Sequence, residues 1–148
     1  MLRSALLLLA FALMLVGTPH ISSAQDREQG NFPICKGSGR ITCVVDGDTI
    51  WYRGEKIRIA DINTPEVSRP ACQNEAALAR RATLRMQELL NSGPFSLIRD
   101  PQDNRDTDHF GRLLRIVMRD GQSLGAILVA EGLAEQWQGR RRDWCIAG

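Results

Sequence analysis

One long stretch, Gln73 to Asn91, carries the helical period, and every other periodic segment of the chain is short. Leu78, Ala82, Met86 and Leu89 recur at helical spacing, while Arg80, Arg81 and Arg85 occupy other faces. Glu75 sits early, where a negative charge suits the helix dipole, and Gly93-Pro94 stops the run. Ahead of this helix lie three β-type segments. Ile41, Cys43 and Val45 alternate with Thr42 and Val44, Asp46-Gly47 breaks the run, Thr49 to Tyr52 resumes it, and Arg53-Gly54-Glu55 turns into Ile57 to Ile59. The segment Asp61 to Pro70, with two prolines and no period, reads as a loop. Beyond the helix, Phe95 to Ile98 and Leu113 to Met118 read as strands on either side of a charged loop, Asp100 to Gly111. Ser123 is placed to cap a short second helix carrying Leu124, Ile127 and Leu128, Gly132 to end it, and Leu133 to Trp137 to form a last short strand. A sandwich has little use for the long helix, and a parallel α/β sheet needs more alternating helices. The pattern therefore predicts an α+β fold, a five-stranded OB-fold β-barrel with one long and one short helix.

The two ends of the chain bear on where it works. Met1-Leu2-Arg3 is a short positive start, Ala5 to Val16 is apolar, and Ser22-Ser23-Ala24 supplies small residues for cleavage, the pattern of a secretory signal peptide. The apolar run is too short to span a bilayer comfortably, and no other segment is apolar enough to try. The expected division is a signal peptide over 1–24, an N-terminal arm over 25–39 that is polar and loose from Gln25 to Asn31, and one domain over 40–148. The expected location is periplasmic or secreted, with no membrane contact after cleavage. Cys35, Cys43, Cys72 and Cys145 agree with export, because an even count in an exported domain reads as two disulfides. Zinc would want C-x-x-C pairs or added histidines, and the sequence has neither. Pairing Cys35 with Cys43 closes a glycine-containing loop, and Cys72 with Cys145 ties down the last residues, although sequence alone does not choose among the three possible pairings.

With 19 Lys and Arg against 17 Asp and Glu, the formal charge of +2 does not by itself announce a nucleic-acid partner. Function must be read from placed residues. Asp46-Gly47-Asp48-Thr49 sets two carboxylates around a glycine where a strand turns, a common turn signal and also a donor set for a hard cation. Arg58, between Ile57 and Ile59, lies on the face opposite them, either solvated or aimed as a planar donor fork at a phosphate. In Asn63-Thr64-Pro65-Glu66, Pro65 biases Thr64 to an extended backbone and sets the exit angle of Glu66. A glutamate beside a metal can accept a proton from an attacking water. Asp108-His109-Phe110-Gly111-Arg112 offers a sharp turn at Gly111 and a second phosphate donor at Arg112. His109 has no sequence partner and reads as a solvated loop residue.

Taken in order, Asp-Gly-Asp-Thr, an arginine followed by Thr-Pro-Glu, the long helix and Phe-Gly-Arg resemble the thermonuclease family, the staphylococcal-nuclease-like domains, from about Arg40 to Trp137. The resemblance implies an OB barrel that hydrolyses phosphodiester bonds of DNA and RNA with Ca2+ and leaves 3′-phosphates. It implies that Asp48 holds the metal with the backbone carbonyl of Thr64 and the side chain of Asn63. It also implies that Glu66 is the general base and that Arg58 and Arg112 bind the phosphate. The substrate is expected to be single-stranded or unpaired, and the protein a monomer. Three departures stand out. Asn63 replaces a second aspartate of the family pattern, which removes one negative charge; Asp46 and Asp61 are the carboxylates near enough in sequence to compensate through water. Phe110 replaces the tyrosine of Tyr-Gly-Arg. A tail from Gln138 to Gly148, with Arg140, Arg141 and Arg142, stands in place of a C-terminal helix, its arginines either solvated or touching nucleic-acid backbone. The Asn63 departure motivates an alternative, a non-catalytic OB-fold module that binds nucleic acid or protein. A purely structural, disulfide-stapled protein explains the cysteines but not the acids and arginines.

Overall fold

The β-branched and aromatic residues of the first half pair into a curled sheet because each short run is followed by a residue set that can turn. In the computed structural model, which describes residues 26–146, β1 (Cys43–Asp46) and β2 (Thr49–Tyr52) form a hairpin, and β2 turns into β3 (Glu55–Ile59) through Arg53 and Gly54. Both of those turn residues have positive φ, the pairing that a tight hairpin with native twist requires. A two-residue strand, β4 (Ile62–Asn63), leads by way of a loop to α1 (Gln73–Asn91), whose limits are those of the helical period. β5 (Ser96–Ile98), β6 (Leu113–Arg119) and β7 (Gln122–Ser123) follow, then α2 (Leu124–Ala130) and β8 (Glu135–Gln136).

The main sheet runs β1-β2-β3-β6-β5, with β7 on β6; β3 and β6 are parallel and the other pairs antiparallel. Strand β4 pairs with β8 in a separate two-stranded ribbon, so part of the segment expected to be loop is strand. Within the sheet's curl sit Val44, Ile50, Ile57, Ile59, Val117 and Phe95, covered by Ala82, Met86 and Leu90 of α1 and by Leu124 and Leu128 of α2. Of the first expected strand, Val44 takes the core while Ile41 is exposed. The α+β fold expected from the sequence, OB-type with one long and one short helix, is the one observed; where five barrel strands were expected there are eight short ones, and the sheet edges β1 and β5 share no ladder.

The arm is not loose over its described residues. Glu28 exchanges both backbone hydrogen bonds with Phe95, at 2.8 and 2.9 Å, and Ile34 bridges in parallel to Val44. Residues 28–34 thus lace the β5 edge to the β1 edge, the gap that β1 and β5 do not close by a ladder of their own. Phe32 drives this. It is fully buried and meets Tyr52 and Phe95 at ring centroid distances of 5.6 and 5.8 Å. The disulfides are Cys35–Cys43 and Cys72–Cys145, the pairing favoured from sequence. The first fastens the arm to β1 and the second fastens the tail to the N-cap of α1. The expected signal peptide lies outside the described residues. No helix among the described residues is long and apolar enough to cross a membrane.

Candidate active site

The β1–β2 turn delivers the aspartates. A Cβ on Gly47 would lie 2.8 Å from Thr64 Cγ2 and 2.9 Å from Ala82 Cβ, so only glycine lets this turn press against both α1 and the strand-end at Thr64. That contact carries Asp48 under the Thr64 backbone. Asp48 Oδ2 accepts from the Thr64 N–H at 2.9 Å, Oδ1 accepts from the Thr49 hydroxyl at 3.1 Å, and the side chain is nearly buried. Asp46 Oδ1 accepts from the Asp48 N–H at 3.1 Å. Burial first, and the neighbouring Asp48 charge second, push the Asp46 carboxyl up to about 7.

Both arginines reach this turn from neighbouring segments, Arg58 from within β3 and Arg112 from the residue before β6. Arg58 is the cross-strand partner of Thr49. Its Nη1 lies 3.4 Å from Asp48 Oδ2 and donates to the Ile59 carbonyl, its Nη2 donates to the Ile62 carbonyl at 2.8 Å, and its guanidinium stands 5.9 Å from the Trp137 ring centroid. Arg112 stands just before β6, after the Gly111 turn at φ 75°. Its Nε donates to Asp108 Oδ2 at 2.7 Å, and Nη1 reaches Thr49 Oγ1 at 3.5 Å, which links it through the Thr49 hydroxyl to Asp48. Burial raises the Asp108 carboxyl, but hydrogen bonds from the Arg112 backbone and guanidinium outweigh that and hold it below the usual carboxylate range.

Glu66 leaves the Pro65 corner with Oε1 accepting from the Ser68 hydroxyl at 2.7 Å and from the Ser68 N–H at 3.2 Å. The Ser68 hydroxyl is the main cause that holds its carboxyl below the ordinary value, with the Arg141 guanidinium, 3.5 Å from Oε2, acting in the same direction. The loop itself hangs on Glu75, whose two oxygens accept from the Glu66 N–H at 3.1 Å and the Ala71 N–H at 2.7 Å. Asn63 is buried, and its Nδ2 donates to Glu135 Oε1 at 2.9 Å. That bond leaves the amide oxygen as the atom not committed to a donor.

All six residues singled out from sequence, Asp48, Arg58, Asn63, Thr64, Glu66 and Arg112, line one polar hollow together with Asp46. It continues past Arg58 and Arg112 into a wider cleft of about 300 Å³ bordered by His109, Phe110 and Trp137. His109 packs against Phe110 with the rings tilted by 42° and 3.7 Å between centroids, and lies at the rim. Asp61 does not join the hollow; its Oδ2 accepts from the Ser123 hydroxyl at the start of α2. Of the two carboxylates that could compensate for Asn63, only Asp46 is in position. Among the described residues no group of three or more His, Cys, Asp or Glu is gathered as a metal cage. The donor set is instead two carboxylates with an amide and a backbone carbonyl oxygen, a mixture that hard cations accept. By the chemistry of this donor set, all oxygen and with both carboxylates on one turn, the residues fit a calcium-type ion.

Sequence reading did not single out Glu75 for the site, Glu135 or Asp108. Glu75 did carry a signal: it is the third residue after the N-cap Cys72, the place from which a glutamate reaches back to backbone N–H groups. Glu135 and Asn63 are 72 positions apart and have no local signature.

The comparisons agree with this geometry. Residues 56–144, more than half of the chain, match the family described as Staphylococcal nuclease homologue. The endonuclease YncB of Bacillus subtilis (strain 168) is 37% identical over 123 residues, which cover 80% of this chain and 52% of that protein. The SPbeta prophage-derived endonuclease YokF of the same organism is 42% identical over 95 residues, 61% of this chain and 31% of that one. The chain thus spans about half the length of one of these relatives and under a third of the other. From the family match over this fold, the chain belongs to the staphylococcal nuclease homologues.

Proposed function

We propose that this protein is an exported, calcium-dependent nuclease that hydrolyses phosphodiester bonds of DNA and RNA and leaves 3′-phosphates. The observation that carries the reading is the meeting, in one polar hollow, of a glutamate held ionised, two guanidiniums and a pair of crowded aspartates. Two relatives named endonucleases support it. Glu66, with its carboxyl below the ordinary value, is an acceptor at neutral pH and orients or deprotonates the attacking water. Arg58 and Arg112 donate to the phosphate oxygens, where charge grows as water adds to phosphorus. The P–O5′ bond then breaks, the phosphate stays on the 3′ side, the departing 5′-oxygen takes up a proton from solvent, and the proton accepted by Glu66 returns to solvent. Asp48, Asp46, the Asn63 amide oxygen and the Thr64 carbonyl would hold a calcium ion, which when bound supplies Lewis-acid polarisation of the phosphoryl oxygen.

Unpaired substrate suits the exposed Phe110 and half-exposed Trp137 at the cleft, because bases free of a partner can stack on aromatic rings. All these residues come from one chain, which fits a monomer. Export is supported by the leader-like start and the two disulfides, and N-terminal sequencing of protein recovered outside the cytoplasm tests it.

Glu66→Ala and Arg112→Ala are each expected to lower turnover roughly 10²–10³-fold on a single-stranded oligonucleotide while the fold persists. End analysis of the wild-type products is expected to find 3′-phosphates. Full activity in either variant, or 5′-phosphate products, would overturn the reading. A protein that binds the oligonucleotide but never cuts it would instead establish the binding-module alternative.

A further inference from the structure

Three consecutive arginines sit in the tail, and the fold treats them differently. Arg142 lays its guanidinium over the Trp144 ring at 5.0 Å. All three border a hollow with Glu135, Gln138 and Asp143, and Arg140 lines neither the polar hollow nor the wider cleft. Arg141 alone of the three lines both the polar hollow and the wider cleft. Its place is fixed from both sides. Upstream, β8 pairs with β4 and the Trp137 N–H donates to the Asp61 carbonyl at 2.9 Å, and just past Arg141 the Arg142 N–H donates to Glu135 Oε1 at 2.8 Å. Downstream, Trp144 is buried, its carbonyl accepts from Asn74 Nδ2 at 2.7 Å, and Cys145 is bonded to Cys72 at the head of α1.

We infer that Arg141 is a third phosphate-binding guanidinium of this cleft, carried there by the disulfide-pinned tail and exchanged from Glu66 to the substrate backbone when nucleic acid binds. The inference rests on the nuclease reading above. The contact with Glu66 is made at 3.5 Å by an arginine side chain that is 73% exposed. Such solvated pairs contribute little, so giving one up costs little. A phosphate oxygen offers the same guanidinium a charge-matched partner in its planar fork geometry. The exchange also takes Arg141 off Glu66, which leaves that carboxylate oxygen free for water once substrate is in place.

The test compares wild type with Arg141→Ala, Arg141→Lys and Arg140→Ala on a single-stranded DNA oligonucleotide. Cleavage is followed in calcium, and equilibrium binding is followed in chelator across a salt series. Loss of one charge-assisted contact is expected to raise KM roughly five- to tenfold in Arg141→Ala with little change in kcat. The slope of log affinity against log salt is expected to fall by roughly 0.7, the share of one phosphate on a single strand. Arg141→Lys should recover the slope, and Arg140→Ala should leave KM and slope near wild type. Cys145→Ser, which frees the tail, should reproduce the KM rise with an unchanged circular dichroism spectrum. Unchanged KM and slope in Arg141→Ala would overturn the inference. So would a raised kcat at constant KM, which would make Arg141 only a brake on Glu66. A wild type inert in calcium would sink the nuclease reading separately, because the salt slope in chelator still decides whether Arg141 meets phosphate.

Discussion

Asn63 and Gly47 show how single residues set the chemistry here. From sequence, Asn63 is an aspartate lost. In the structure its amide is held by Glu135, and an aspartate at 63 would set a carboxylate against that glutamate. Asn63→Asp alone is therefore expected to lower stability by about 1–3 kcal/mol. The double change Asn63→Asp with Glu135→Gln reverses donor and acceptor, and should recover stability and tighten calcium binding. Urea unfolding and calorimetric calcium titration of the wild type and the two variants check this. Gly47→Ala is expected to cost about 1–3 kcal/mol, since the added methyl meets Thr64 and Ala82 below contact distance. It should also weaken calcium binding, because Thr64 must move. Asp108 gives a pH signature. Its carboxyl is depressed in the folded state, so its stabilising effect is complete above the unfolded value near 3.9 and fades as pH falls through the folded one. The stability gap between wild type and Asp108→Asn should accordingly shrink as urea midpoints are taken from neutral pH down towards pH 2.

At the scale of elements, α1 does more than cover the sheet. Its first turn holds the loop that carries Glu66 through Glu75, and the tail through Cys72 and Asn74. Glu75→Ala should release the Glu66 N–H and Ala71 N–H, lower kcat more than tenfold by loosening Glu66, and leave the far-ultraviolet spectrum unchanged. The loss of a single hydrogen-bonded glutamate with no effect on kcat would show that the loop is held some other way. The helix limits, Gln73 and Asn91, were legible in the sequence because a period sustained over several turns has few rivals. Of the residues that line the hollow, Asp48, Glu66 and Arg112 drew notice in the sequence because each follows a residue that turns the chain, Gly47, Pro65 or Gly111, whereas Arg58 lies within β3 and drew notice as a lone charge between two isoleucines. Strand β8 falls inside the short strand expected over Leu133 to Trp137, but β4 and its pairing with β8 were not legible, because a two-residue strand carries no period and its pairing rests on Asn63 and Glu135 meeting across the molecule.

Across the whole molecule, the arm bridges the two edges of the curled sheet. A polar stretch with one aromatic residue offers no pattern to read, yet Phe32 is the residue that closes the gap between the sheet edges, and it does so through contacts with Tyr52 and Phe95 far along the chain. Phe32→Ala is expected to destabilise the fold by about 3–5 kcal/mol, read from urea unfolding, whereas an arm that merely lay on the surface would tolerate the change. The same assembly of distant segments brings Asp48, Arg58, Glu66 and Arg112 to one hollow. A calcium titration of cleavage by the purified wild-type protein, on a labelled single-stranded oligonucleotide, tests that hollow most directly. The expected result is activity that rises with calcium to a plateau and disappears with chelator; cleavage unchanged in chelator, or none at any calcium concentration, would contradict it.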